Sequence, residues 1–184
     1  MRAWHGEGLD HLRLTVNVSA RQFRGSALVE AVAEALSACG LPPESLELEI
    51  TEGLLMDDIP ETHATLHELD RRGVRLAVDD FGTGYSSLSY LKRFPVDTLK
   101  IDKEFIRDVA NDPDDVTLVE AIIAMARRLN LQVIAEGVET SEQLAFLRAQ
   151  HCELAQGYLF SRPLTADAFG VLVRQASVLR SAVG

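Results

Sequence analysis

The sequence predicts a parallel α/β barrel, on three observations. Strand-like and helix-like stretches alternate about six times with short connections and no low-complexity linker, the signature of a parallel sheet with covering helices. Each strand-like stretch places apolar residues on one face only. The other face carries Asn17, Glu49, Asp79, Lys100, Glu136 or Gln156 near its C-terminal end. In an open sheet with helices over both faces these polar groups would lie under helices at high cost. In a barrel the second face lines the lumen, and the C-terminal mouth is where such barrels do their chemistry.

The elements follow in chain order. Leu12, Leu14, Val16 and Val18 alternate with Arg13, Thr15, Asn17 and Ser19, giving a strand with Asn17 on its polar face. Leu28, Val32 and Leu36 then recur at helical spacing from a cap at Ser26 to Gly40, and Pro42-Pro43 stop that helix. Over residues 45–52, Leu46, Leu48 and Ile50 share one strand face while Glu47, Glu49 and Thr51 share the other. A helix over 59–72 ends at Gly73, and Val74, Leu76 and Val78 lead into Asp79-Asp80, where Gly82 and Gly84 stop the strand. Residues 86–94 read as a short helix before Pro95, residues 98–102 as a strand carrying Lys100, and residues 103–109 as a short helical turn. Beyond Pro113, Val119, Ile122, Ile123, Ala126 and Leu129 mark the buried side of a longer helix, and Val133 to Ala135 form a strand ending at Glu136-Gly137. Thr140 and Gln143 have capping-box spacing, residues 156–160 read as the last strand, and Thr165 caps a terminal helix with Phe169, Leu172 and Val173.

At 184 residues, 47% hydrophobic, the chain suffices for one domain with a real core. A net charge of −10 argues against binding a nucleic-acid backbone such as DNA, and an anionic substrate would need cations recruited locally. No apolar run approaches the roughly 18 residues of a membrane helix, so no membrane insertion of this segment is expected, and the cytoplasm is the expected location. Cys39 and Cys152 stand far apart with no clustered histidines, which suggests neither a disulfide framework nor zinc.

Asn17, Glu49, Asp79, Asp80 and Glu136 are all oxygen donors, suited to a hard cation such as magnesium or manganese. Two ions fit the set, with Asp79 bridging, Asp80 on the second ion, and Asn17 with Glu49 on the first. Such a pair clamps a phosphoryl group and offsets the charge of protein and substrate, while Lys100 adds a cation able to orient a water or contact phosphate. Taken singly, each residue has a plainer role: two aspartates before a glycine turn are commonly a solvated turn, Asn17 and Gln156 hydrogen-bond at strand ends, and Glu49, Lys100 and Glu136 are ordinary surface charges. His63 and His67, at i and i+4, lack the intervening glutamate of a metalloprotease helix and read as helix surface.

Six motifs in order, Asn17-Val18-Ser19-Ala20-Arg21-Gln22, Glu47-Leu48-Glu49-Ile50-Thr51-Glu52, Asp79-Asp80-Phe81-Gly82-Thr83-Gly84, Lys100-Ile101-Asp102, Glu136-Gly137-Val138-Glu139 and Gln156-Gly157-Tyr158, resemble those of the bacterial EAL-domain cyclic-di-GMP phosphodiesterases. The match runs from about residue 12 to residue 164. The resemblance implies a modified (β/α)8 TIM-like barrel that linearises cyclic-di-GMP to pGpG with two magnesium or manganese ions in second-messenger signal transduction. By resemblance, Asn17, Glu49 and Asp79 are ligands of the first metal and Asp79 and Asp80 of the second. Lys100 is similar to the lysine beside the catalytic water, and Glu136 and Gln156 to groups around metal and water. Glu52 resembles the glutamate that steadies the loop from Asp79 to Tyr85, and Glu139 an acid behind the site. The same loop and the helix after it resemble the family's homodimer contact, and sensor or cyclase domains are expected on a longer chain.

The chain departs from that pattern at its start. The Glu-Ala-Leu signature should precede Asn17 by dozens of residues, and only sixteen residues precede it; Glu34-Ala35-Leu36 spells the same letters inside a helix after the Asn17 strand. Residues 1–184 are therefore expected to be a single EAL-type phosphodiesterase domain, truncated at the N-terminus, with about six of eight barrel strands. The leading functional reading is a metal-dependent cyclic-di-GMP phosphodiesterase. The alternative is a catalytically inactive module that binds cyclic-di-GMP or a protein partner.

Overall fold

A computed structural model describes residues 1–23, 27–56, 59–82 and 91–183, with side chains described up to residue 175. Its elements are α1 (Arg2–Gly6), β1 (Leu14–Asn17), α2 (Ala27–Cys39), β2 (Leu46–Thr51), α3 (Glu52–Met56), α4 (Pro60–Arg71), β3 (Arg75–Phe81), β4 (Thr98–Ile101), α5 (Lys103–Arg107), α6 (Pro113–Arg128), β5 (Gln132–Ala135), α7 (Ser141–Ala149), β6 (Leu154–Ala155) and α8 (Ala166–Val183). The strands form one sheet in the order β1-β2-β3-β4-β5-β6, every neighbouring pair parallel. On a flat sheet β2 and β5 would stand roughly 14 Å apart. Here Glu49 near the end of β2 and Glu136 just past β5 both reach one ammonium on β4, so the sheet is curled around that point. The result is an open, partial TIM-like barrel with six strands among the described residues, the class the alternation predicts.

The two faces of the curl differ as the sequence alternation requires. Leu48, Ile50, Leu76, Val78, Leu99 and Ile101 are each at most 2% exposed and pack outward against Leu66, Leu69, Val119 and Ile122 of the covering helices. The inner face is polar in layers. Near the strand starts, Thr98 Oγ1 donates to Glu47 Oε1 at 2.6 Å within the buried lumen, and Arg13 Nη1 stands 3.8 Å from the same carboxylate. Further up lie Glu49, Asp79 and Lys100. At the end of the sheet every residue of β1 is exposed, Leu14 at 45% and Val16 at 40%, because among the described residues only β2 flanks that strand.

Local signals explain most boundaries. Gly73 takes the left-handed conformation that ends α4, Asp112 caps α6 by accepting from the Asp114 amide, and the Thr140–Gln143 capping box opens α7. Between β3 and β4 the register slips by one residue: Val78 pairs with Leu99 but Phe81 with Ile101. Asp80 takes up the slip with φ of 55°.

Three readings from sequence need correction or fall elsewhere. The last strand is not 156–160 but Leu154–Ala155, and residues 158–160 form a turn. The cause is a close crossing: the Gly157 backbone lies so near Val138 that a Cβ there would meet the Val138 oxygen at 2.1 Å. Val138 captures the chain through Val138 N–H to Gln156 O and Leu159 N–H to Val138 O, diverting it from β5. Glu52, read as the end of a strand, instead opens the short helix α3. The helix expected over 86–94 falls largely, and the Gly84-Tyr85 end of the loop wholly, outside the described residues.

Leu99 is fully buried at the centre of the sheet. Leu99→Ala should lower the unfolding free energy by about 2–5 kcal/mol, measured by urea denaturation at constant m-value.

Candidate active site

Lys100 is the centre of the mouth. Its Nζ lies 2.5 Å from Glu136 Oε1 and 3.2 Å from Asp79 Oδ1 and also contacts Glu49 Oε1. The lysine side chain is 5% exposed and the three carboxylates 10–18%, so the cluster is withdrawn from water while opening to the mouth. Burial pulls the lysine pKa down, but hydrogen bonds and charge from Glu136 and Glu49 outweigh it and hold the ammonium above lysine's ordinary value. Burial raises the Glu136 pKa, opposed by Lys100 and reinforced by Asp79 and Glu49.

The strands place these groups by register. Glu49 pairs with Asn17 on β1 and Ala77 on β3, so Asn17 ends level with Glu49 across an exposed strand. Asp79 follows on β3, and its Oδ1 accepts from the Asp80 amide at 3.1 Å. Asp80 stands beside Asp102. Burial first, then Asp102 and the charge of Asp79, raise its pKa. Glu52 reaches the glycine turn through the Gly82 N–H, which donates to Oε2 at 3.3 Å; its buried Oε1 has no hydrogen-bond partner among the described residues.

Glu139 and Gln156 do not join the lysine cluster. They line, with Glu136, a hollow of about 660 Å³ bounded by Tyr158, Arg162 and Phe169. Gln156 is held there by its backbone, donating to Ala135 O at 2.8 Å and accepting from Val138 N–H at 3.0 Å. Sequence reasoning gave no role to Asp102, which caps α5 by accepting from the Glu104 amide at 2.7 Å and stands beside Asp80. The signal was present, since Asp102 shares the parity of Lys100, two residues earlier. It also missed the hollow, because Tyr158 and Arg162 were assigned to or beside a strand that is in fact a turn.

The donor set bears on metals directly. Among the described residues no three His, Cys, Asp or Glu side chains are gathered into an ion-holding group, because Glu49, Asp79 and Glu136 turn onto Lys100 instead. All are oxygen donors, and their convergence on one positive charge shows an excess of negative charge that further hard cations would relieve, so the residues fit a divalent ion.

The chain belongs to the EAL domain family, whose model matches residues 1–163. Among curated proteins it is 51% identical over 174 residues to the cyclic di-GMP phosphodiesterase NbdA of Pseudomonas aeruginosa, covering 95% of this chain and 22% of NbdA. It is 46% identical over 167 residues to the bifunctional diguanylate cyclase/cyclic di-GMP phosphodiesterase MucR of the same species, covering 91% of this chain and 24% of MucR. The chain thus spans about a quarter, or less, of the length of these two relatives. Its fold matches the PaMucR phosphodiesterase in complex with c-di-GMP at TM-score 0.88 and 46% identity, covering 92% of this chain and 68% of that one. It matches Klebsiella pneumoniae BlrP1 with manganese and cyclic-di-GMP at TM-score 0.80 and 33% identity, covering 88% of this chain and 42% of that one.

Removing the central cation leaves three carboxylates, 10–18% exposed, facing one another. Lys100→Met should cost about 3–5 kcal/mol of stability in metal-free buffer at neutral pH, read from urea unfolding.

Proposed function

We propose that this domain hydrolyses cyclic-di-GMP to linear pGpG. The observation that carries the reading is the Lys100 ammonium held by Glu49, Asp79 and Glu136 at the C-terminal mouth of the curled sheet. The relatives support it: NbdA and MucR are cyclic di-GMP phosphodiesterases, and the BlrP1 structure holds manganese with this nucleotide. We assign Asn17, Glu49, Asp79, Asp80 and Glu136 to two magnesium or manganese ions, with Asp79 shared. When bound, such ions polarise the phosphoryl oxygens and make a water more acidic.

The chain's own groups perform the rest. Lys100 supplies a fixed ammonium that orients the attacking water and meets the negative charge growing on phosphorus-bound oxygens. Glu136, its Oε1 2.5 Å from the Lys100 ammonium, stands beside that water and accepts its proton at the carboxylate. The water oxygen bonds to phosphorus, one phosphoester bond to a sugar oxygen breaks, and that oxygen leaves with a proton, so one water is consumed per ring opened. Gln156 and Glu139 face the substrate from the neighbouring hollow, and Glu52 steadies the turn after Asp80 through the Gly82 amide.

The reading extends to the surroundings. A homodimer through the loop and helix after Asp80 involves residues 83–90, outside the described residues. Sensor or cyclase domains on a longer chain fit the domain content of MucR, of which the matched part is 24%. A cytoplasmic setting agrees with Cys39 and Cys152 as free thiols. A second reading, nucleotide binding without turnover, is favoured by one observation: Asn17 lies on the exposed end strand, the least supported of the proposed ligands.

The protein is expected to convert cyclic-di-GMP to pGpG with magnesium or manganese, and to lose this activity on chelation. Asp79→Asn should lower kcat/KM about a hundredfold or more, followed by chromatography of the nucleotides. Retained cyclic-di-GMP binding with no pGpG formed at any metal concentration would establish the second reading instead.

A further inference from the structure

The hollow beside the lysine cluster carries two cations outside that cluster. Glu136, Glu139 and Gln156 line it. So do Lys103, Tyr158, Arg162 and, from α8, Phe169. The two cations differ from Lys100 in one respect. Lys100 is bound by three carboxylates, whereas among the described residues neither Lys103 nor Arg162 forms an ion pair, although Glu136 and Glu139 line the same hollow.

Both are positioned by local structure. The Arg162 guanidinium carbon sits 5.1 Å from the centre of the Tyr158 ring, a stack that presents a planar, positively charged face. Lys103 is fixed at its base by the loop after β5. Gly137, at φ of 68°, comes so close that an added Cβ would lie 2.5 Å from Lys103 Cβ, so the lysine leaves the backbone against the wall of the hollow. A planar cationic face and a point cation, 660 Å³ of room, and an acidic centre at one end together suit a nucleoside monophosphate unit: an aromatic base for the face and a phosphate for the lysine.

We propose that Lys103 and Arg162 are specificity-determining residues that hold the half of the cyclic dinucleotide remote from the bond being cleaved, Arg162 stacked on Tyr158 against the base and Lys103 at the second phosphate. This rests on the reading of the site as a cyclic-di-GMP phosphodiesterase. The consequence is selection for a substrate with two nucleotide units. A small phosphodiester occupies only the acidic centre and gains nothing from the hollow. The same two cations offset the repulsion between a dianionic ligand and a chain of net charge −10.

The test compares two substrates in one preparation, cyclic-di-GMP and bis(p-nitrophenyl) phosphate, with manganese. The ratio of their kcat/KM values does not depend on the folded fraction, so a merely destabilised variant leaves it in place. Lys103→Gln with Arg162→Gln together should lower that ratio about tenfold or more, mainly through KM for the dinucleotide, while Lys103→Arg should restore most of the lysine's share. A ratio within about twofold of the parent's for the double variant would overturn the proposal. Calorimetric titration of cyclic-di-GMP with calcium present gives a second readout that needs no turnover. The double variant should bind about tenfold more weakly, and unchanged affinity would overturn the proposal. Absence of turnover in the parent, with binding that depends on Lys103 and Arg162, would sink the hydrolase reading and leave this one standing.

Discussion

Three carboxylates on one ammonium is the constraint from which the rest of the mouth follows. Glu49, Asp79 and Glu136 come from separate stretches of chain, and each would repel the other two without Lys100 between them. To bring them within reach, the sheet must curl and the strands must keep one register. An apolar slip of one residue in β2 or β4 would send Glu49 or Lys100 under the helices. The outer core of Leu48, Ile50, Leu76 and Leu99 therefore fixes the charges on the inner face as firmly as it stabilises the fold.

Charge also divides the mouth into two unlike halves. The centre is acidic and crowded, three carboxylates sharing one lysine. The hollow toward β6 and α8 is roomier and carries cations that no carboxylate has claimed among the described residues. For a chain with ten more acids than bases, such an uneven distribution matters more than the total. Field lines from a dianion end on the few exposed cations near its path, and those cations sit beside the reacting centre.

Much of this was legible in the sequence, and the exceptions have physical causes. Period-2 alternation located β2, β3 and β4 because one face of each is packed by helices and the other is polar, and the Thr140–Gln143 spacing located α7. Lys100 was visible as a lone cation between apolar neighbours. That it would be the hub was not visible, because the hub depends on curvature and no local pattern encodes curvature. The last strand was misplaced because Tyr158-Leu159-Phe160 has the composition of a strand. A backbone crossing at Val138, which only Gly157 permits, outweighed that preference. Helix α3 escaped because five residues leave no periodicity to read. Asp102 had the right parity but looked like a strand end, and a helix cap two residues past Lys100 is read only once the strand is known to stop at Ile101.

The slip between β3 and β4 gives Asp80 a distinctive standing. Val78 faces Leu99 and Phe81 faces Ile101, so three steps on one strand match two on the other. Without Asp80, Phe81 would follow Asp79 in unbroken alternation, opposite the same isoleucine and on the same buried side. By that count the sheet has no use for the residue: it is a surplus link in the ladder, tolerated in a left-handed turn that a side chain seldom adopts. What the surplus link provides is a second carboxylate next to the first, aimed at the mouth from a strand whose alternation would otherwise have turned it outward among the helices.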